Sequence, residues 1–370
     1  METKAVVLFL LSILALQLTQ ELDNTYELID VVNNKKTSWS ARANFPNSTT
    51  DDLKKMIRQK LGFFTKDETG TIYHKLKYYE NIPKFFDARE QWPECESIIS
   101  YVRDQGSCAS SWAITPAAVM SDRLCIESKG KELIHISDED LITCCKSCSD
   151  FENTCDGGMH HKVWEYWRDY GIVSGGGHDS MTGCKPTSSS TFLNGTSPHC
   201  EKRCTNPYFN ATANYTQEKY FGEIIYKVPK REKQIQIEIM TQGPVAAVMA
   251  VFEDFFFYEH GVYKHVTGKF VGTHVVKILG WGEGEKDKYW LAANTWGNQW
   301  GKLKGIFHTL RYNFHAGVGM EVRAGRKNAE LSNKENIVNS SVSVQVNRNL
   351  LFASLFGLCI IVIVILIEEY

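Results

Sequence analysis

Residues 103–113 read RDQGSCASSWA, a glycine-containing turn that runs into the start of a helix. Backbone N–H groups at a helix start lack intrahelical partners and carry partial positive charge, so a nucleophile or an oxyanion is stabilised there. Far downstream, His274 stands in GTHVVKILGWG and Asn294 in AANTWGNQWG. A hydroxyl at Ser111, an imidazole and an orienting amide make the set that covalent catalysis uses. Singly, each has a plainer reading: serine beside a helix start caps it, and histidine in an apolar strand packs in a core.

Outward from this stretch, the pattern predicts a helix over about 110–131, with further helical patterns at 137–143 and 159–170. From Glu223 the texture changes to strand-like runs: EIIYKVP, GPVAAVMAVF, VGTHVVKILGW, KYWLAANTW, GIFHTL and GMEVRA. Apolar runs bounded by glycines predict an antiparallel sheet. A helical lobe followed by a β lobe leaves a cleft between them, the usual place for a site. Residues 21–81 hold no cysteine, and Asp51–Phe64 places Leu53, Met56, Ile57, Leu61 and Phe64 on one helical side. A helical pro-segment and a flexible leader both fit that region.

The ends carry targeting signals. Residues 1–20, with one lysine before an apolar run, read as a cleaved signal peptide. Of 11 cysteines, ten lie between Cys95 and Cys204, which in an exported chain reads as a disulfide framework and not a metal site. No metal and no cofactor are expected. Residues 324–349 form a polar stalk, and 350–367 (LLFASLFGLCIIVIVILI) read as a transmembrane helix or a GPI-signal tail; both stay open. Either would anchor the protein, through its C-terminus, to the plasma membrane or an endomembrane such as the lysosome, on the lumenal or extracellular face. Asn47, Asn194, Asn210, Asn214 and Asn339 begin glycosylation sequons. A net charge of −2 without basic blocks argues against a nucleic-acid partner. The oligomeric state is not legible.

From TSWSARANF in the leader through IPKFFDAREQWPEC, RDQGSCASSWA, SDRLCI, ITCCKSC, CDGG and YGIVSGG, the chain resembles the papain-type cysteine proteases of the cathepsin B kind. GPVAAVMAVFEDFFFYEHGVYKHVTG, THVVKILGWG, YWLAANTWGNQWG and GVGMEVRAG continue the resemblance, which covers about residues 36–323. It implies an α+β, papain-like two-lobe fold: a helical left lobe, an antiparallel β-barrel-like right lobe and a cleft between them. It also implies a propeptide over 21–81 that runs backward through the cleft of an 82–323 domain.

By position, the resemblance puts Ser111 where the family has its nucleophilic cysteine. Gln105 matches the oxyanion-hole donor, His274 the general base and Asn294 its orienter. Trp296 resembles the indole that shields the Asn–His contact, and Gly157 and Gly158 the wall that receives substrate backbone. The implied disulfides are Cys95–Cys125, Cys108–Cys155, Cys144–Cys200, Cys145–Cys148 and Cys184–Cys204. Two departures bear on specificity. The segment between Cys184 and Cys200 is shorter than the family's occluding loop and lacks its histidine pair, which speaks against dipeptidyl carboxypeptidase action. Gly319 stands where the family has a glutamate at the bottom of the S2 pocket. The expected partners are a peptide or protein ligand, the protein's own propeptide and protease inhibitors. The expected function is an inactive or very weak protease homologue that binds in the cleft. The alternative is an endopeptidase that uses Ser111 as nucleophile.

Overall fold

The computed structural model describes residues 25–46, 48–57, 69–178, 180–210, 214–284, 286–311, 318–327 and 335–338. The signal segment, the stalk beyond 338 and the 350–367 run lie outside them. Among the described residues, no helix is long and apolar enough to cross a membrane.

The helix predicted at 110–131 is Ser111–Glu127, and nearly every side chain along it is buried. A helix buried on all sides must be wrapped by other elements. Here it lies against the long strand Phe270–Glu283 and the helix His160–Tyr170. Thr115 Oγ1 donates to the Val275 carbonyl at 2.8 Å and pins helix to strand. His160–Tyr170 buries Val163, Trp164 and Trp167 on one side, the spacing of an amphipathic helix. Asp138–Cys144 starts at Ser137, whose side chain accepts from the Asp140 N–H, with three acidic residues in the first turn.

The right lobe is built on an eleven-stranded sheet in which ten strands follow a linear hydrogen-bonded path and the eleventh, Phe86–Asp87, branches onto Phe270–Glu283, with no closing pair among the described residues. Its centre is Phe270–Glu283, antiparallel to Val245–Phe252 on one side and Lys288–Ala293 on the other. Side chains alternate along a strand. Val275 therefore enters the left-lobe core, while Val276 and Ile278 enter the right-lobe core. His274 shares the parity of the second pair, opposite Met249.

One helix, Glu232–Gln242, falls within the region read as strands. Five disulfides join Cys95–Cys125, Cys108–Cys155, Cys144–Cys200, Cys145–Cys148 and Cys184–Cys204. The leader packs into the right-lobe core through Trp39, Leu53, Ile57 and Ile72.

Candidate active site

Ser111 opens the central helix and is buried, with 4% of its surface exposed. Its Oγ accepts the Val275 N–H at 3.3 Å, across the junction of the two lobes. The neighbouring residue on that strand, His274, is fully buried. His274 Nε2 lies 2.8 Å from Asn294 Oδ1, and the same oxygen accepts the Thr295 N–H at 2.8 Å. A backbone N–H only donates, so it fixes the amide with its oxygen toward the ring, and Nε2 carries the proton. The neutral ring then has its lone pair on Nδ1, which has no hydrogen-bond partner among the described residues. Burial pushes the imidazole down to about 4, against the opposing bond to Asn294. Trp296 covers the pair, its ring centre 5.1 Å from that of His274.

Gln105 is equally buried. Its Oε1 accepts from Thr295 Oγ1 at 2.7 Å, and the two carbonyls that face its Nε2 can only accept, which fixes the amide. Its Nε2 donates to Cys108 O and to Met56 O, each at 2.9 Å. The second acceptor belongs to the leader. The leader helix Thr50–Lys55 starts in a capping box between Thr49 and Asp52 and delivers Met56 to this point. Lys54 pairs with Glu253 of the right lobe at 3.1 Å. Upstream, Trp39–Ala41 adds a strand to Tyr258–Tyr263. Thr295 was not singled out from the sequence. It follows Asn294 directly, and its 190-residue separation from Gln105 hides the bond.

Gly158 lies where an added Cβ would fall 2.5 Å from the Trp112 indole. The Gly157 carbonyl accepts from Ser149 Oγ at 2.6 Å. The short Cys184–Cys200 segment forms the helix Ser189–Asn194 and docks on the turn before the nucleophile position. The Phe192 carbonyl accepts the Ser107 N–H at 2.8 Å, and Asn153 holds the Gly195 carbonyl at 3.0 Å. Gly319, in the strand Val318–Arg326, has φ +110°. Two residues on, Glu321 pairs with Arg323 and, at 3.2 Å, with His160. Burial alone would raise the Glu321 carboxyl, but His160 and then Arg323 hold it far below the usual range. Asn194, Asn210 and Asn214 are exposed, whereas Asn47 and Asn339 lie outside the described residues. Among the described residues, no three His, Cys, Asp or Glu side chains gather as metal ligands.

The model of the papain family cysteine proteases matches residues 82–325. The chain belongs to that family. It is 37% identical over 315 residues to a cathepsin B-like cysteine proteinase of Schistosoma japonicum, covering 81% of this chain and 90% of the relative. A cathepsin B-like cysteine proteinase 5 of Caenorhabditis elegans is 38% identical, with 80% and 89% covered. Among solved structures, proCathepsin B S9 of Trypanosoma congolense aligns with a TM-score of 0.67 and 31% identity over 81% of this chain and 96% of that one. A digestive procathepsin L 3 of Tenebrio molitor shares the fold at TM-score 0.61 and 20% identity, covering 83% and 90%. This papain-family chain is thus cathepsin B-like, with the papain-like fold of procathepsins.

Proposed function

We propose that this cathepsin B-like protein is catalytically silent or very weak, with Ser111 at the nucleophile position, and that it acts by binding peptide in a retained cleft. One observation carries the reading. The Ser111 hydroxyl accepts from Val275 N–H, while His274 Nδ1 has no partner among the described residues, so no hydrogen bond links Ser111 to His274. A thiol gives its proton to imidazole in the ground state because the two pKa values are close; a hydroxyl does not. Asn294 orients the ring but offers no negative charge to stabilise an imidazolium, as a carboxylate would. Oxygen's shorter bond to carbon also leaves the reacting atom further back, and such displacements matter in catalysis.

Gln105, His274 and Asn294 remain in register with one another, and this favours a second reading, an endopeptidase that uses Ser111 itself. In either case the resemblance puts Gly319 where a glutamate would favour basic P2 side chains, and the nearby Glu321 is engaged by His160 and Arg323, so apolar ones fit better. The short loop, docked on Ser107, supports an open primed side without exopeptidase action. Five disulfides support folding in an oxidising, secretory or lysosomal compartment. Glycans at the exposed sequons and attachment through 350–367 belong to the same proposal. The leader and protease inhibitors are the proposed cleft ligands.

The test is hydrolysis of a mixed peptide library by the leader-free protein and by its Ser111→Cys and Ser111→Ala variants. Cleavage by Ser111→Cys alone is the expected result. Cleavage by the unmodified protein but not by Ser111→Ala overturns the silent reading in favour of the serine endopeptidase.

A further inference from the structure

The leader is held at a second place, which shares no side chain with the candidate active site. Its strand Thr71–His74 sits between the strand Ile224–Val228 and the strand Glu335–Val338, which follows the end of the family match. Gln234 Oε1 accepts the His74 N–H at 2.7 Å, and its Nε2 donates to the His74 carbonyl at 2.9 Å. One side chain thus satisfies both backbone groups of one leader residue. The His74 imidazole is fully buried, with Nε2 2.8 Å from Glu238 Oε2 and Nδ1 3.7 Å from Glu335 Oε1. Beside it, Ile72 is completely buried in the right-lobe core.

The inner wall of the groove is organised by groups outside the leader. Glu238 Oε1 is held by Arg123 at 2.9 Å and by the Tyr226 hydroxyl at 2.7 Å. Glu335 is held by Arg326 at 3.0 Å. Glu238 therefore keeps its place whether or not an imidazole lies beside it, which is preorganisation for an extended strand bearing a histidine. Glu335, on a strand that among the described residues pairs only with Thr71–His74, adds its carboxylate when that strand is seated. Arg123 is twelve residues along the central helix from Ser111, about 18 Å at the helical rise. Gripping here does not require the cleft to be filled.

We infer that this groove is a second peptide-binding site whose occupant is the leader's own 69–81 segment. That segment stays on the folded domain as a noncovalent strand after the chain is cut on either side of it, with Glu335–Val338 closing over it. The inference is independent of whether Ser111 catalyses anything. It separates the leader into an upstream half that covers Gln105 and a downstream half that remains part of the sheet.

The experiment uses the full chain with one specific protease site substituted within 58–68 and another inserted after Asn81. After both cuts, native size exclusion and mass spectrometry of the domain peak are expected to find the 69–81 fragment at about one per domain. Loss of the fragment from a domain that keeps its melting temperature overturns the inference. A labelled synthetic 69–81 peptide then rebinds domain stripped of the fragment. His74→Ala in the peptide alone, which cannot disturb domain folding, should weaken binding about tenfold or more, the size of a lost hydrogen bond to a charged group. Equal binding of the two peptides overturns the assignment of His74.

Discussion

The side-chain amide of Gln105 donates to the Met56 carbonyl at 2.9 Å, so the donor proposed for an oxyanion is occupied by leader backbone. That contact holds only while Leu53 and Ile57, each about 2% exposed, keep their places in the right-lobe core. Ile57→Ala should cost about 2–5 kcal/mol of leader docking through lost burial and the cavity left behind. Hydrogen exchange should accelerate at least about tenfold across 50–57 while helix 111–127 keeps its protection. Unchanged exchange in 50–57 would show that this anchor does not hold the leader.

His274 predicts a pH dependence of stability. Its imidazole sits at about 4 in the fold because burial disfavours the cation, against about 6.5 in an unfolded chain. Below pH 6.5 the unfolded chain therefore binds the extra proton and the fold does not. Stability from this group is complete above about 6.5 and is lost as pH falls from 6.5 toward 4. Between pH 6.5 and 5 the loss is on the order of 2 kcal/mol. Urea denaturation of the full chain at pH 7 and pH 5 should show it, and His274→Gln should flatten that part of the profile. An identical slope in the variant would remove His274 as the cause.

The residues named from the sequence are those whose local context is short. Ser111, Gln105, His274 and Asn294 each stand in a short motif that carries the family resemblance. Contacts that span the chain were hidden. The bond from Val275 N–H to Ser111 joins residues 164 apart and depends on how helix and strand dock. The Met56 carbonyl on Gln105 is backbone, and no side chain advertises it. The helix Glu232–Gln242 lies between EIIYKVP and GPVAAVMAVF, where the sequence pattern predicts no element. Its Ile235, Ile237 and Ile239 recur at every second position, which is not helical spacing, and all three are completely buried because the helix is covered on several sides. The pairing of Thr71–His74 with Glu335–Val338 joins a leader to a segment read as stalk, and no periodicity connects them.

Gly158 makes a prediction about the wall beside Ser111. A Cβ there would lie 2.5 Å from Trp112 and 2.8 Å from the Cys148 carbonyl, both too close to absorb without movement. Gly158→Ala should cost about 1–3 kcal/mol as overpacking. It should also shift the fluorescence of Trp112, the residue that follows Ser111. A Gly158→Ala protein with unchanged melting temperature and emission would contradict this tight packing.

Gly319 tests the specificity reading and shows why a carboxylate is not restored there without cost. Its φ of +110° lies where side chains with a Cβ are disfavoured, so Gly319→Glu should cost about 1–3 kcal/mol in backbone strain. In a leader-free Ser111→Cys background, the glutamate would supply the charge that a basic P2 residue needs. The unmodified pocket should favour apolar P2 side chains in a peptide library. Gly319→Glu should raise kcat/KM for arginine at P2 about tenfold relative to leucine, the effect of one partly buried ion pair of about 1.4 kcal/mol. If the ratio stays fixed while the melting temperature falls, Gly319 serves the bend of its strand and does not read the P2 side chain.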